Sequence, residues 1–237
     1  MKKLLLLVIL SVFALSCNKK VELSGEIVNQ TKQVQPYHTV SNNSSANIEL
    51  DSSVATNEIL ITGDKTLVDN LEIDNKDGKI NISNKKSISY KSNKSPLIIK
   101  MNNPNLQKVV IAGAGSIATN NITLTKDIEF HISGAGEINV KLFNNITSVF
   151  VSGAGDVRLR GISNEVKANM SGAGNLNAEA LKNKLANIEI TGAGNAKMNT
   201  TDEINVRISG VGNLDYKNHD QLKIVKQISG VGTINPY

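Results

Sequence analysis

The sequence predicts an all-β protein, a parallel β-solenoid with coils of about 20 residues preceded by a less regular β region. Three observations carry this reading: a recurring Gly-x-Gly pair, strict alternation of apolar residues around each pair, and ladders of like residues when the copies are aligned. The pairs are Gly113 and Gly115, Gly134 and Gly136, Gly153 and Gly155, Gly172 and Gly174, Gly192 and Gly194, Gly210 and Gly212, and Gly230 and Gly232, spaced 18 to 21 residues apart. Because these pairs hold 14 of the 18 glycines, glycine is a periodic structural element here and not general loop composition.

Around the second pair the run is Ile132-Ser133-Gly134-Ala135-Gly136-Glu137-Ile138-Asn139-Val140, with apolar residues and glycines on one parity and Ser, Ala, Glu and Asn on the other. That alternation marks a strand with one buried face. The same parity recurs in Val149, Val151, Val157 and Leu159, in Ile188, Ile190, Ala196 and Met198, and in Val206, Ile208, Leu214 and Tyr216. Each pair therefore sits on the buried parity, at a corner between two strands, where a side chain would crowd the inside of a bend and where glycine also permits unusual backbone angles. The intervening segments 142–146, 181–185 and 200–204 are richer in Asn, Lys and Thr and form the return path of each coil.

Aligned copies give one ladder of Ser133, Ser152, Ser171, Thr191, Ser209 and Ser229, and a second of Ala114, Ala135, Ala154, Ala173, Ala193, Val211 and Val231. A third, Ser116, Glu137, Asp156, Asn175, Asn195, Asn213 and Thr233, consists of short polar groups able to hydrogen-bond along the stack. Seven coils at the inter-strand spacing would extend roughly 30 Å. Trp is absent and aromatics are 3% of the chain, as thin layers of Ile, Val and Leu require.

Four segments follow in order. Residues 1–16 read as a signal peptide, with Lys2 and Lys3 ahead of an apolar stretch of twelve, too short to span a bilayer, which takes about 20 residues. Cys17, the only cysteine, closes Ala14-Leu15-Ser16-Cys17 and is the expected lipidation site; ordinary cleavage leaving a free thiol is the competing reading. Residues 17–35 are polar and read as a lipid-anchored tether. Residues 36–108 carry strand-like runs at 47–50, 58–61, 71–73, 79–82 and 97–99, with Asp77-Gly78 as a hairpin turn, and read as an N-terminal β region and cap. Residues 109–237 are the repeat solenoid. No helical periodicity of useful length is present.

The Ser-Gly-Ala-Gly cores, the closing run Lys226 to Ile234 and the preceding β region resemble the head GIN domain family of auto-transporter adhesins, common in Gram-negative lipoproteins, over roughly residues 37 to 234. The resemblance implies a right-handed β-helix exposed to the cell envelope and carries over no catalytic motif. Anchorage to the outer membrane, on its periplasmic or outer side, is the expected location.

The chemistry readable from the chain is mostly negative. A dinucleotide fingerprint needs a third glycine, and the positions where it would fall hold Ala118, Asn139, Arg158, Asn177, Lys197, Asp215 and Asn235. A calcium β-roll needs a nine-residue repeat. His38, His131 and His219 are scattered, with His131 expected on a solvated ladder. Glu137 and Asp156 stack as a carboxylate pair, but Arg158 beside them points to a surface ion pair instead of acid–base catalysis. Net charge is +5, falling to +3 once Lys2 and Lys3 are removed, and Arg occurs only at Arg158, Arg160 and Arg207, which argues against nucleic acid. No cofactor, metal site or enzyme activity is expected. The expected partners are the membrane, through the lipid, and a glycan or an envelope or host protein on the polar face; self-association through the last coil, residues 228–237, is another. A β-helix carbohydrate-active enzyme and a periplasmic assembly protein are the alternatives. Tyr37, Tyr90, Tyr216 and Tyr237 are the aromatics considered for glycan contact.

Overall fold

The computed structural model describes residues 20–86 and 95–237; Cys17 and Tyr90 lie outside them. Four long strands, β11 (Glu137–Val151), β12 (Asp156–Met170), β13 (Asn175–Ile190) and β14 (Asn195–Ile208), each begin one residue after a Gly-x-Gly pair and end two before the next. They pair in parallel, so each coil hydrogen-bonds the one before and after it. The strands β10 (Ile128–Ile132), β15 (Leu214–Tyr216), β16 (Lys223–Ile228) and β17 (Ile234–Pro236) continue the stack. The return path is therefore strand as well, and backbone groups there are satisfied by adjacent coils.

Register places like residues above one another. One inward column runs Phe130, Val149, Ala168, Ile188 and Val206; a second runs Ile132, Val151, Met170, Ile190 and Ile208; a third runs Ile138, Val157, Leu176, Ala196 and Leu214. All fifteen side chains are buried, which makes the core a set of apolar ladders. The first column ends on Lys226, opposite Val206 and exposed, so the inward parity is broken in the last coil.

The repeated glycines bend the chain with ordinary backbone angles, which corrects the expectation that they are chosen for conformational freedom. Positive φ among glycines occurs at Gly25, Gly78 and Gly161, none of them in a Gly-x-Gly pair. What the paired glycines avoid is contact between coils: a Cβ on Gly153 would lie under 3.0 Å from the Gly134 carbonyl oxygen, and 2.6 Å from that of Ser133. From the second pair onward, every paired glycine faces the carbonyl of its counterpart one coil earlier in this way.

The two members of a pair differ in what else they meet. The first glycines, Gly134, Gly153, Gly172, Gly192, Gly210 and Gly230, are half-buried and press on backbone alone. The second glycines lie deeper. Gly155, Gly174, Gly194 and Gly212 are buried, and a Cβ on them would meet the second inward column as well: Ile132 Cγ2 at 2.6 Å from Gly155, Val151 Cγ1 at 2.7 Å from Gly174, Met170 Cε at 2.9 Å from Gly194 and Ile190 Cγ2 at 2.8 Å from Gly212. Gly232 keeps the same contact, 3.0 Å from Ile208 Cγ2, and is half-buried. The inside of the bend is thus crowded as expected for Gly155, Gly174, Gly194, Gly212 and Gly232, by the coil below, while stacking distance along the solenoid governs all of them.

The opposite corner is lined by polar side chains. Thr147, Ser163, Asn183 and Thr200 are almost fully buried, in or beside the stretches the sequence assigns to the return path. Asn183 Nδ2 donates to the Leu185 carbonyl at 2.9 Å and to Thr200 Oγ1 at 3.0 Å. Thr147 and Ser163 hydroxyls lie 3.1 Å apart, and Ser163 also donates to the Glu165 carbonyl at 3.1 Å. Short side chains that bond the turning backbone take over here from apolar filling.

The N-terminal region joins the same stack. β2 (Thr39–Asn42) and β3 (Asn47–Leu50) pair in parallel with β8 (Lys108–Ile111) and β9 (Ser116–Thr119), forming a coil directly beneath the first glycine-bearing bend. The positions one coil before Gly113 and Gly115 are Ser44 and Ala46. The buried Asn42 braces that bend, donating to the Ala46 carbonyl at 2.8 Å and accepting from the Ser44 amide at 3.0 Å. β6 (Lys79–Asn84) and β7 (Ile98–Met101) add one more parallel layer on β2 and β3, and beyond that layer the parallel order ends: β4 (Glu58–Asp64) runs antiparallel to both β7 and β1 (Ile27–Gln33). β1 falls inside the segment read from sequence as tether, so from Ile27 that segment is part of the folded sheet. β5 (Leu71–Lys76) and β6 (Lys79–Asn84) form the expected hairpin over Asp77-Gly78, where both residues have positive φ. The helix α1 (Lys65–Asn70), too short to show periodicity in sequence, starts at an Asp64 N-cap whose carboxylate accepts from the Thr66 amide at 2.8 Å. Among the described residues no helix is long and apolar enough to cross a membrane.

Candidate functional site: the outward ladders

Each coil presents one outward face after the Gly-x-Gly bend and another before it. On the face after the bend, polar groups bond one another along the stack. Asn175 Nδ2 donates to Asp156 Oδ1 at 2.9 Å, Asn195 to Asn175 Oδ1 at 3.2 Å, Asn213 to Asn195 Oδ1 at 3.1 Å, and Thr233 Oγ1 to Asn213 Oδ1 at 2.8 Å. This is the hydrogen-bonded ladder expected from the third aligned position. Glu137 and Asp156 are register neighbours, and Arg158 pairs with both, its second contact being 3.9 Å. Arg158 thus ties the two carboxylates into the surface ion pair expected from the sequence.

The face before the bend is different. Its outward positions form two columns: Glu129, Ser148, Lys167, Asn187, Asn205 and Val225, and His131, Phe150, Asn169, Glu189, Arg207 and Gln227. A groove of about 500 Å³ runs over them, lined by Phe150, Lys167, Asn169, Glu189, Arg207 and Lys226 among others. At one end the Phe150 ring is 41% exposed and stacks on His131, with centroids 4.5 Å apart and planes 18° from parallel. His131 is held in turn by Glu129, 3.1 Å from Nε2, and Glu129 by Lys108 at 3.0 Å. The Lys108 and His131 hydrogen bonds hold the Glu129 carboxyl below its usual range. The aromatic platform therefore rests on a braced support.

Across the groove, Asn169 donates to Glu189 at 3.0 Å and Lys167 pairs with Glu165 at 3.4 Å. Arg207 is exposed and its side chain makes no hydrogen bond or ion pair within the described residues, although Glu189 is its register neighbour. Gln227, its neighbour in the following coil, is exposed too. The groove face bonds along the stack as well, Asn205 to Asn187 at 3.2 Å and Asn187 to Glu165 at 2.9 Å, but it also leaves a cation, an amide and an aromatic ring exposed.

The remaining expected positions fall as follows. The fourteen paired glycines are scaffold: the buried Gly155, Gly174, Gly194 and Gly212, like Gly232 at the end of the stack, pack against the coil below and offer nothing to a ligand. Cys17 lies outside the described residues. His38 Nδ1 lies 3.1 Å from Thr39 Oγ1 and His219 Nε2 lies 2.9 Å from Asn199 Oδ1, so the three histidines share no site. Among the described residues no group of three or more His, Cys, Asp or Glu could hold a metal ion. Tyr37 is buried, with its hydroxyl unpartnered and its pKa raised by burial, so it is no glycan-contact residue. Tyr237 is exposed, and Lys197 Nζ sits 4.4 Å from its ring centre. The exposed aromatics missed in sequence are Phe143 and Phe150; both stand on the outward parity of their strand, which is the signal that could have found them.

The fold is a β-solenoid whose outward faces carry hydrogen-bonded polar ladders and, on one side, a groove beside which Phe150 and Arg207 are exposed. Residues 36–219 match the family described as "Putative auto-transporter adhesin, head GIN domain", and the chain belongs to that family. Among solved structures it is similar to a putative adhesin from Bacteroides fragilis NCTC 9343, at 24% identity and a TM-score of 0.81, covering 92% of this chain and 100% of that one. It is also similar to a putative lipid binding protein from Parabacteroides distasonis ATCC 8503, at 21% identity and a TM-score of 0.72, with coverage of 92% and 100%. A putative adhesin from Parabacteroides merdae ATCC 43184 shares 20% identity and a TM-score of 0.65, with coverage of 92% and 99%. These likenesses extend to the fold. No protein of curated function matches the chain.

Proposed function

We propose that this protein is a non-catalytic, lipid-anchored component of the cell envelope that uses the grooved face before each bend to hold an extended ligand, in the manner of an adhesin. The observation that carries the reading is the contrast between the faces: Asn175, Asn195 and Asn213 are committed to one another, while Phe150 and Arg207 are exposed beside a continuous groove. Flat, repeating faces of stacked strands suit an extended polymer or a partner surface. Glu189 is the one carboxylate lining the groove, whereas glycoside hydrolysis ordinarily employs two. Family membership and the signal ending at Cys17 support a position at the envelope.

The test is surface proteolysis and antibody labelling of intact cells against permeabilised ones. Labelling of intact cells is the expected result and would make glycan and host-surface binding the next assay. Protection until permeabilisation would sink the host-adhesin reading and assign the face a periplasmic partner. A Cys17→Ala variant should leave the membrane fraction; if it stays there, the lipid anchor is wrong.

A further inference from the structure

We infer that the groove before the bend is a binding site for an acidic oligosaccharide, with one sugar ring stacked on Phe150 and a carboxylate further along the chain taken by Arg207. The inference rests on the reading of this face as the ligand-contact surface and adds the ligand's chemistry.

Phe150, Asn169, Glu189 and Arg207 occupy one register position of four successive coils, so ring and guanidinium stand three strand spacings apart, about 14 Å. That separation accommodates a short run of sugar rings lying along the stack. The Phe150 ring, stacked on His131 and 41% exposed, offers aromatic surface to the C–H bonds of a sugar. Between them Asn169, Asn187 and Asn205 line the groove with their amide nitrogens donating to Glu189, Glu165 and Asn187, which leaves the Asn169 and Asn205 amide oxygens to accept from hydroxyl groups.

Charge selects the acidic class. Lys167 is paired with Glu165, but Arg207 and Lys226 also line the groove and form no ion pair within the described residues, against the carboxylate of Glu189. Arg207 has no internal partner within the described residues, so a ligand carboxylate would meet a guanidinium free to bind it in bidentate fashion. Lys226 stands at an inward-column position yet is exposed beside the groove, adding a second cation at the same end. A single-stranded nucleic acid would also use a ring and cations, but its binding relies on successive stacking platforms, and Phe150 is the one aromatic lining this groove.

The test uses the full-length protein in detergent, titrated calorimetrically with a hyaluronan hexasaccharide, neutral chitohexaose and oligo-dT, with urea midpoints checking that each variant folds. The expected result is preferential hyaluronan binding that weakens with added salt. Phe150→Ala and Arg207→Gln should each weaken it at least about tenfold, as losing a ring stack or a charged hydrogen bond implies. Phe150→Trp should retain binding, and Arg158→Gln on the opposite face should change it less than about twofold. Equal binding of chitohexaose with no effect of Arg207→Gln would overturn acid selection while leaving the face reading intact. Tighter binding of oligo-dT, or capture of an envelope protein on this face with no sugar bound, would overturn the oligosaccharide assignment. Sugar binding unaffected by Phe150→Ala but lost in Arg158→Gln would overturn both readings.

Discussion

Replacing Gly153 with alanine is the smallest perturbation that probes the solenoid's defining constraint. The new Cβ would press on the carbonyl of Gly134, one coil earlier, and stand 2.6 Å from that of Ser133. Neither atom is the end of a flexible side chain, and the Gly134 carbonyl already accepts a hydrogen bond from the Ala154 amide at 3.0 Å. Relief therefore requires the coils to separate locally and that bond to stretch. Overpacking of a rigid site costs about 1–3 kcal/mol, and loss of the bond adds about 0.5–1.5 kcal/mol. We expect a total of roughly 2–4 kcal/mol, equivalent to a fall in Tm of about 6–12 °C in a protein of this size. The comparison is Ala154→Ser, one residue away and outward, which should stay within about 0.5 kcal/mol. Thermal and urea unfolding followed by circular dichroism read both. Should Gly153→Ala prove as harmless as Ala154→Ser, glycine would not be required by coil stacking and the account of the repeat would be wrong.

Three further outcomes are expected. Asn183→Ala strips the Leu185 carbonyl and Thr200 hydroxyl of a buried partner and should cost about 1–3 kcal/mol in urea unfolding. Asp51 is buried, and the Ser53 hydrogen bonds, followed by Lys100, hold its carboxyl below the ordinary value of 3.8. A pKa depressed on folding contributes stability above the unfolded value that is lost as pH falls through the folded one. Asp51→Asn should therefore flatten the acid side of a stability profile measured from about pH 6 down to pH 3, and an unchanged slope would exclude this carboxylate. Gly78→Ala should destabilise the β5–β6 hairpin, since φ is +72° there and a Cβ would strike the His38 ring; hydrogen exchange of the Thr39 amide, which bonds the Gly78 carbonyl at 3.2 Å, reports it.

The repeat was legible because its cause is local and periodic. Inward parity, the Asn175–Asn195–Asn213 ladder and the Arg158–Glu137 pair all follow from aligning copies twenty residues apart. The reason for glycine was only half legible: parity puts Gly155 or Gly174 on the inside of a bend, but the carbonyl it must clear belongs to another coil. Three features did not follow at all. The joining of residues 39–50 to 108–119 depends on pairing across a long sequence separation, and Ser44 and Ala46 give no glycine signal because they precede the first stacked bend. The burial of Thr147, Ser163, Asn183 and Thr200 gives no sequence signal, because polarity is the usual mark of exposure, yet here it satisfies a turning backbone. The groove was hidden because no single copy contains it: Phe150, Glu189 and Arg207 lie far apart in sequence, each on an outward parity where its residue type looks unremarkable.

That distribution bears on how such a scaffold acquires a ligand. Each outward position in one coil has a register neighbour about 4.8 Å away in the next, so an amide repeated in successive copies is drawn into bonding itself. The face after the bend shows this outcome from Asp156 through Thr233. Availability arises where the repeat is broken. The column His131, Phe150, Asn169, Glu189, Arg207, Gln227 changes residue type at every coil, and its Arg207 stays without a bond inside the described residues. Restoring uniformity there is consequently a test of function separable from fold: Arg207→Asn beside Asn205 should leave the urea midpoint within about 0.5 kcal/mol of the parent, because the residue is exposed and unpaired. If the midpoint falls well beyond that margin, Arg207 is part of the packing and the groove loses its free cation as an argument for binding.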